Sequence, residues 1–311
     1  MAQGKPAQGF RMSKHLKALM AQGHSIEDAL KMRDGMRQIN QTATLVGRDT
    51  TMAAIEPAVK VIETEEQILE RLQSRFTIMR KMVKAATAQD INSVIISGPP
   101  GLGKSFETYD ELRKSGKDYK IVRGRLSAVG LFVALYYSKS SGSVLVMDDV
   151  DVFGDEKTLD ILKAATDTTG SHEISWGTQY EITGDDGEIL PRSFTFEGSV
   201  VFITNNDFRG MVNSGSKISK HLEALMSRSH YIDLGMKNKM DFMVRIRDVV
   251  VNHKMLNMVD DDRDDILDFI EEHKERFDEL SLRMVAKLAG LRSFDADWKN
   301  TAKVTLMKNV A

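Results

Sequence analysis

The residues best equipped for chemistry are Gly98-Pro99-Pro100-Gly101-Leu102-Gly103-Lys104-Ser105, which follow the apolar run Val94-Ile95-Ile96 and open a stretch of helical character at Phe106. Glycines at this spacing let the backbone turn so that successive N–H groups face one point, and the following helix adds the partial positive charge of its first turn. Such a loop holds phosphate oxygens. Gly98, Pro99, Pro100, Gly101, Leu102, Gly103, Lys104, Ser105 and Phe106 are therefore the expected contacts to ATP. Lys104 should reach the β- and γ-phosphates, and the Ser105 hydroxyl should ligate Mg²⁺. A chance Gly/Pro turn is the bland alternative. Two of the chain's five prolines and a correctly placed strand and helix weigh against it.

The second half of such a site is a carboxylate at the end of a neighbouring strand. Val144-Leu145-Val146-Met147 runs straight into Asp148-Asp149. Asp148 would hold Mg²⁺ through water and Asp149 would polarise an attacking water. The competing reading of such an acidic pair is a helix N-cap, a role that Asp151 is also placed to fill.

These groups need a scaffold that brings strand ends together. Short apolar runs at Ser93–Ser97, Lys120–Val122, Val144–Met147 and Val200–Thr204 alternate with helical stretches, which predicts a parallel sheet wrapped by helices. Ahead of them Ile68, Leu69, Leu72, Phe76, Met79, Met82 and Val83 recur at helical spacing from Thr64 to Ala88, with Thr64 and Gln67 in capping-box register. Beyond about Lys237 the strand signal stops, and helices are expected over 239–257, 264–276 and 281–291. The expected fold is an α/β three-layer core with a parallel sheet. It should be followed by a small all-helical lid domain and preceded by a short helical N-terminal segment, with boundaries at 1–45, 46–236 and 237–311.

Composition narrows the classes. A chain of 311 residues, 41% hydrophobic and 28% charged, can bury a core, so wholesale disorder is excluded. With no cysteine it has no disulfide, thiolate metal site or cysteine nucleophile, which fits a reducing compartment. A net charge of −2 gives no global basic field. Charge is local instead: residues 1–45 hold seven Lys/Arg against three acids. That segment is either a solvated helix face or an arm for nucleic acid or a protein partner. No apolar run suits a membrane span or a signal peptide, so a cytoplasmic location is expected.

In type, order and spacing, Gly98–Ser105, Val144–Asp151, Val200-Val201-Phe202-Ile203-Thr204-Asn205, Ser227-Arg228 and Ser281-Leu282-Arg283 resemble the motifs of the AAA+ ATPase family over about residues 46–292. The chain also looks like the members found in bacteriophage genomes. The resemblance implies a P-loop ATPase that assembles with itself, as a hexameric ring, with nucleotide at subunit boundaries. It implies that Asn205 senses the γ-phosphate, with Asn206 as the register alternative. Arg228 would act on a neighbour's ATP, against the plain alternative of a surface arginine at a helix end. Arg283 would contact the γ-phosphate from the lid, against that of an ordinary helix salt bridge. Gly47 would sit near the adenine. The family usually has Glu where this chain has Asp149, which either brings the sheet end closer to the phosphate or slows hydrolysis.

An insertion, His172 to Gly198, alternates on either side of Gly184-Asp185-Asp186-Gly187, a hairpin signal. In AAA+ proteins a hairpin here marks a group that includes helicases, Holliday-junction motors and protein unfoldases. Its tip is acidic, and Trp176, Tyr180, Phe194 and Phe196 either pack it down or contact a substrate. The work expected is DNA-directed, in replication or recombination. Protein remodelling and a slowly hydrolysing scaffold are the alternatives.

Overall fold

The computed structural model describes residues 63–308 except 153–154, 171, 178–179, 216, 254 and 256–258. The basic segment 1–45 and Gly47 lie outside the described residues. The described residues form one compact unit.

Helix α1 (Glu65–Ala88) starts where its sequence says: Thr64 Oγ1 accepts from the Gln67 amide at 3.3 Å, and Gln67 Oε1 accepts from the Thr64 amide at 3.0 Å. This reciprocal cap satisfies two amides that the helix itself cannot. There follow β1 (Ser93–Ser97), α2 (Lys104–Ser115), β2 (Tyr119–Arg125), α3 (Ala128–Tyr137), β3 (Val144–Asp151) and α4 (Glu156–Ala165). After a short pair β4 (Glu173–Ser175) and β5 (Ser193–Thr195) come β6 (Ser199–Thr204), α5 (Phe208–Asn213), α6 (Ser219–Arg228) and β7 (His230–Asp233).

β1, β2, β3, β6 and β7 form one parallel sheet in the order β2-β3-β6-β1-β7. Its central strands are buried on both faces, which is why they read as unbroken apolar runs. Ile95, Leu145, Met147, Val200 and Phe202 face α3, α4 and α6. Val94, Ile96, Val144, Val146, Val201 and Ile203 face α1 and α2. The result is the three-layer αβα arrangement expected. The edge strand β7 escapes sequence reading, because its four residues, His-Tyr-Ile-Asp, bury only Ile232 and carry no apolar run.

The insertion is an antiparallel pair, β4 with β5, with a further bridge between Thr183 and Ile189. Three of its four aromatics pack inward: Phe132 of α3 lies 5.0 Å from Phe194 and 5.7 Å from Trp176, and Phe196 is fully buried, whereas Tyr180 is 85% exposed. Asp185 at the tip pairs with Lys120 of β2 at 2.7 Å.

The C-terminal helices are α7 (Lys239–Arg247), α8 (Asp260–His273), α9 (Leu282–Phe294) and α10 (Trp298–Leu306), closed around Met243, Ile246, Phe269, Ile270, Leu288 and Trp298. The single helix expected over 239–257 instead changes to a π-helical turn at Asp248–Asn252. There the buried Asp248 carboxylate accepts from Arg245, Gln73 and Asn252, a demand the local pattern does not reveal. α8 begins earlier than expected, at Asp260, with Asp260, Asp261 and Asp262 in its first turn, where the helix dipole favours negative charge. Among the described residues no helix is long and apolar enough to cross a membrane.

Candidate active site

A parallel sheet gathers its strand ends at one edge, and connections leaving that edge meet in a crevice. Here the carboxyl ends of β1, β3 and β6 lie side by side, with Ser97 in register with Thr204 and Asp148 with Ile203.

β1 leads into Gly98–Gly103. Gly101 and Gly103 take φ values of 72° and 91°, which a side chain resists. Gly101 meets a second constraint, since a Cβ there would lie 2.4 Å from Ser281 Cβ. α2 begins with Gly103 as its cap and no side-chain cap bond, so its first amides face the loop.

Lys104 folds back over this loop. Its Nζ donates to Gly98 O at 2.7 Å, Pro99 O at 2.8 Å and Asn205 Oδ1 at 2.8 Å, using all three donors. The side chain is only 5% exposed. Burial, opposed by Asp149 and reinforced by the Arg283 charge, lowers its pKa to about 8, with Asp148 giving a smaller upward push. Asn205, not Asn206, therefore points at the lysine; the Asn206 carbonyl accepts from Ser97 Oγ.

Ser105 Oγ donates to Asp148 Oδ1 at 2.8 Å. The other Asp148 oxygen accepts from the Tyr109 hydroxyl and from Arg123 Nε at 3.2 Å, and Arg123 Nη2 donates to the Tyr109 oxygen at 3.0 Å. Burial and the bond to Asp148 push the Tyr109 hydroxyl up to about 12. Neither Tyr109 nor Arg123 stands out in the sequence. Tyr109 could have been found by helical spacing, four residues after Ser105 on the same face, and Arg123 by its register opposite Asp148.

The donor set suits Mg²⁺. One hydroxyl and one carboxylate from two elements are hard oxygen ligands, and Mg²⁺ completes its shell with water and phosphate oxygens. Among the described residues no group of three or more His, Cys, Asp or Glu could hold a metal by itself.

Asp149 is exposed and takes φ 51°, a left-handed conformation rare for a residue with a side chain but tolerated by Asp. The cause is a β-bulge: Arg123 pairs with Asp148 but Arg125 pairs with Asp151, so Asp149 and Val150 together oppose Gly124. Bulges re-aim side chains, which offers a geometric companion to the short aspartate arm.

Arg283 is exposed in the first turn of α9, close enough for its charge to act on Lys104. Phe106 is 69% exposed in the first turn of α2. Arg228, the last residue of α6, donates from Nη1 to Ala224 O at 3.0 Å and places Nε 3.7 Å from Asp167 within its own chain. Lys104, Ser105, Asp148 and Asn205 thus converge, Asp149 and Arg283 flank them, and Arg228 is held on Asp167.

No family model matches the chain. A 36.7 kDa protein of Enterobacteria phage T4, encoded in the nrdC-mobD intergenic region and described as uncharacterized, is 34% identical over 251 residues, 78% of this chain and 77% of that one. Among solved structures, the RuvB Holliday junction branch migration motor of Thermotoga maritima aligns with TM-score 0.43 and 15% identity, covering 76% of this chain and 68% of the other. NtrX from Brucella abortus in complex with ATP aligns with TM-score 0.35 and 12% identity, over 72% and 48%. Similarity at that level carries no argument about activity.

Proposed function

The chain belongs to the family of the phage T4 36.7 kDa protein, and we propose that it is a Mg²⁺-dependent ATPase of the AAA+ type, a ring-forming oligomer that acts on DNA. The observation that carries this reading is the meeting of Lys104, the Ser105–Asp148 pair and Asn205 at one end of the sheet.

In this mechanism phosphate oxygens replace the Gly98 and Pro99 carbonyls as partners of Lys104, which restores its full charge where negative charge is densest. Amides of the glycine loop and of the α2 start hold the β-phosphate. Ser105 and Asp148 would hold the metal, whose positive charge would offset the negative charge of the triphosphate. Asp149 orients the attacking water and accepts its proton, while Asn205, released from Lys104, holds the γ-phosphate. Arg283 reaches the γ-phosphate from α9, so that residues 237–311 act as a lid. Arg228 exchanges Asp167 for the triphosphate of a neighbouring subunit, which makes turnover depend on a ring, taken as hexameric.

DNA is favoured as substrate by the place of the hairpin ahead of β6 and by Arg123 and Arg125 at the end of β2, both largely exposed although they pair with Asp148 and Asp151. Residues 1–45 are a second docking arm, for DNA or a protein. ATP hydrolysis should be abolished by Lys104→Ala and stimulated by single-stranded DNA, with a steep salt dependence of binding. Hydrolysis without any DNA response would transfer the assignment to protein remodelling. No hydrolysis in any condition would leave a nucleotide-gated scaffold. Mixing Arg228→Ala with Lys104→Ala subunits should restore part of the activity if the arginine acts between subunits.

A further inference from the structure

The outer side of the phosphate-binding loop is not free: two of its consecutive carbonyls are held by the C-terminal helices. The Leu282 amide donates to Gly101 O at 2.8 Å. Arg245 Nε donates to Leu102 O at 3.4 Å, long for such a bond but charge-assisted. The approach is close, since a Cβ on Gly103 would lie 3.3 Å from Leu282 Cδ1 and 3.8 Å from Arg245 Nη2.

Arg245 itself is an unusual residue to find there. It is 3% exposed, lies 3.6 Å over the Phe76 ring, and donates to Glu107 of α2 at 3.1 Å and to Asp248 at 3.2 Å. A buried ion cluster of this kind adds little stability over well-packed apolar side chains, but it fixes geometry.

A trans peptide carries its N–H on the side opposite its C=O. Holding Gly101 O therefore turns the Leu102 N–H away from the helices and into the loop, and holding Leu102 O does the same for the Gly103 N–H. We propose that Arg245 and the Leu282 amide are positioning groups that aim the loop's N–H donors at the phosphates, so that phosphate affinity is set from the C-terminal helices. This rests on the nucleotide-site reading above.

Leu282 offers a clean test because it is the first residue of α9, where proline is tolerated, and Ser281 before it is extended (ψ 163°), as a residue preceding proline prefers. Leu282→Pro and Leu282→Ala both lose the leucine side chain, but only the proline loses the N–H. The expected result, from a fluorescent ADP analogue displaced by inorganic pyrophosphate, is about tenfold weaker pyrophosphate binding in Leu282→Pro than in Leu282→Ala, with matched melting temperatures. Equal affinities overturn the proposal. Should the proline chain not fold, the triple change Arg245→Met, Glu107→Gln, Asp248→Asn removes the cluster and leaves only Arg80, 30% exposed and able to turn to solvent, without its carboxylate partner. Retained melting temperature with weakened pyrophosphate binding supports the proposal, and retained melting temperature with native affinity overturns it. If the unaltered protein fails to bind the analogue, it is the nucleotide-site reading that falls instead.

Discussion

The buried amine of Lys104 predicts a distinctive pH dependence of nucleotide affinity. Without nucleotide its pKa is about 8, because burial outweighs the nearby Asp149 and Asp148. A bound triphosphate supplies the missing negative charge and keeps the amine protonated throughout the accessible range. The apparent dissociation constant then scales inversely with the protonated fraction of the free protein, and should rise about tenfold between pH 7 and pH 9. Phosphate itself ionises near pH 6, and Tyr109 at about 12 stays protonated, so neither confounds that window. The effect on folding has the opposite sign. A lysine whose folded pKa is depressed disfavours the folded state fully below about pH 8, and that penalty fades as pH approaches the unfolded value of 10.5. Affinity and the Lys104 contribution to stability therefore move in opposite directions from pH 8 upward. Titration of a fluorescent ADP analogue from pH 7 to 9.5 measures the first, and calorimetry at pH 8.5 in buffers of different ionisation enthalpy should show proton uptake on binding. A flat affinity profile with no proton uptake would refute the reasoning about Lys104.

Four other substitutions, at three positions, probe separate parts of the structure. Asp149→Asn should lower hydrolysis by at least about 100-fold with nucleotide affinity and melting temperature unchanged, since Asn also tolerates a positive φ. Asp149→Glu should slow turnover rather than restore it, because the bulge in β3 already re-aims the shorter arm; faster turnover would show that the bulge does not compensate. Tyr109→Phe removes one bond to Asp148 and should cost about 1 kcal/mol in chemical denaturation while raising the Mg²⁺ concentration needed for nucleotide binding. Phe132→Ala, beneath Trp176 and Phe194, should cost about 3–5 kcal/mol and expose residues 173–195 to proteolysis well before the rest of the sheet.

How much of this was legible in the sequence follows from the range of the interactions. The loop Gly98–Ser105, the pair Asp148-Asp149 and Asn205 each sit at the end of an apolar strand, so a local pattern places them, and the structure brings Lys104, Asp148 and Asn205 together. The capping box of α1 is equally local. By contrast Arg245 reaches Glu107 and Leu102 from more than a hundred residues away, and nothing around it in the chain announces a buried cation. Tyr109 and Arg123 had a faint signal in helical spacing and strand register, visible once Asp148 is fixed as their common partner. The inward packing of Trp176 and Phe194 required knowing that α3 lies beneath the hairpin, since aromatic residues in an insertion fit a substrate contact equally well.

The central claim is that the glycine loop and the Asp148 strand end grip one triphosphate and its metal, and Mg²⁺-dependent nucleotide binding tests it most directly. The unaltered protein should bind an ATP analogue more tightly with Mg²⁺ than with a chelator, and Asp148→Asn and Ser105→Ala should each remove most of that difference while leaving metal-free binding near its original level. Binding indifferent to Mg²⁺ in the unaltered protein, or a Mg²⁺ effect that persists undiminished in both variants, would contradict the account.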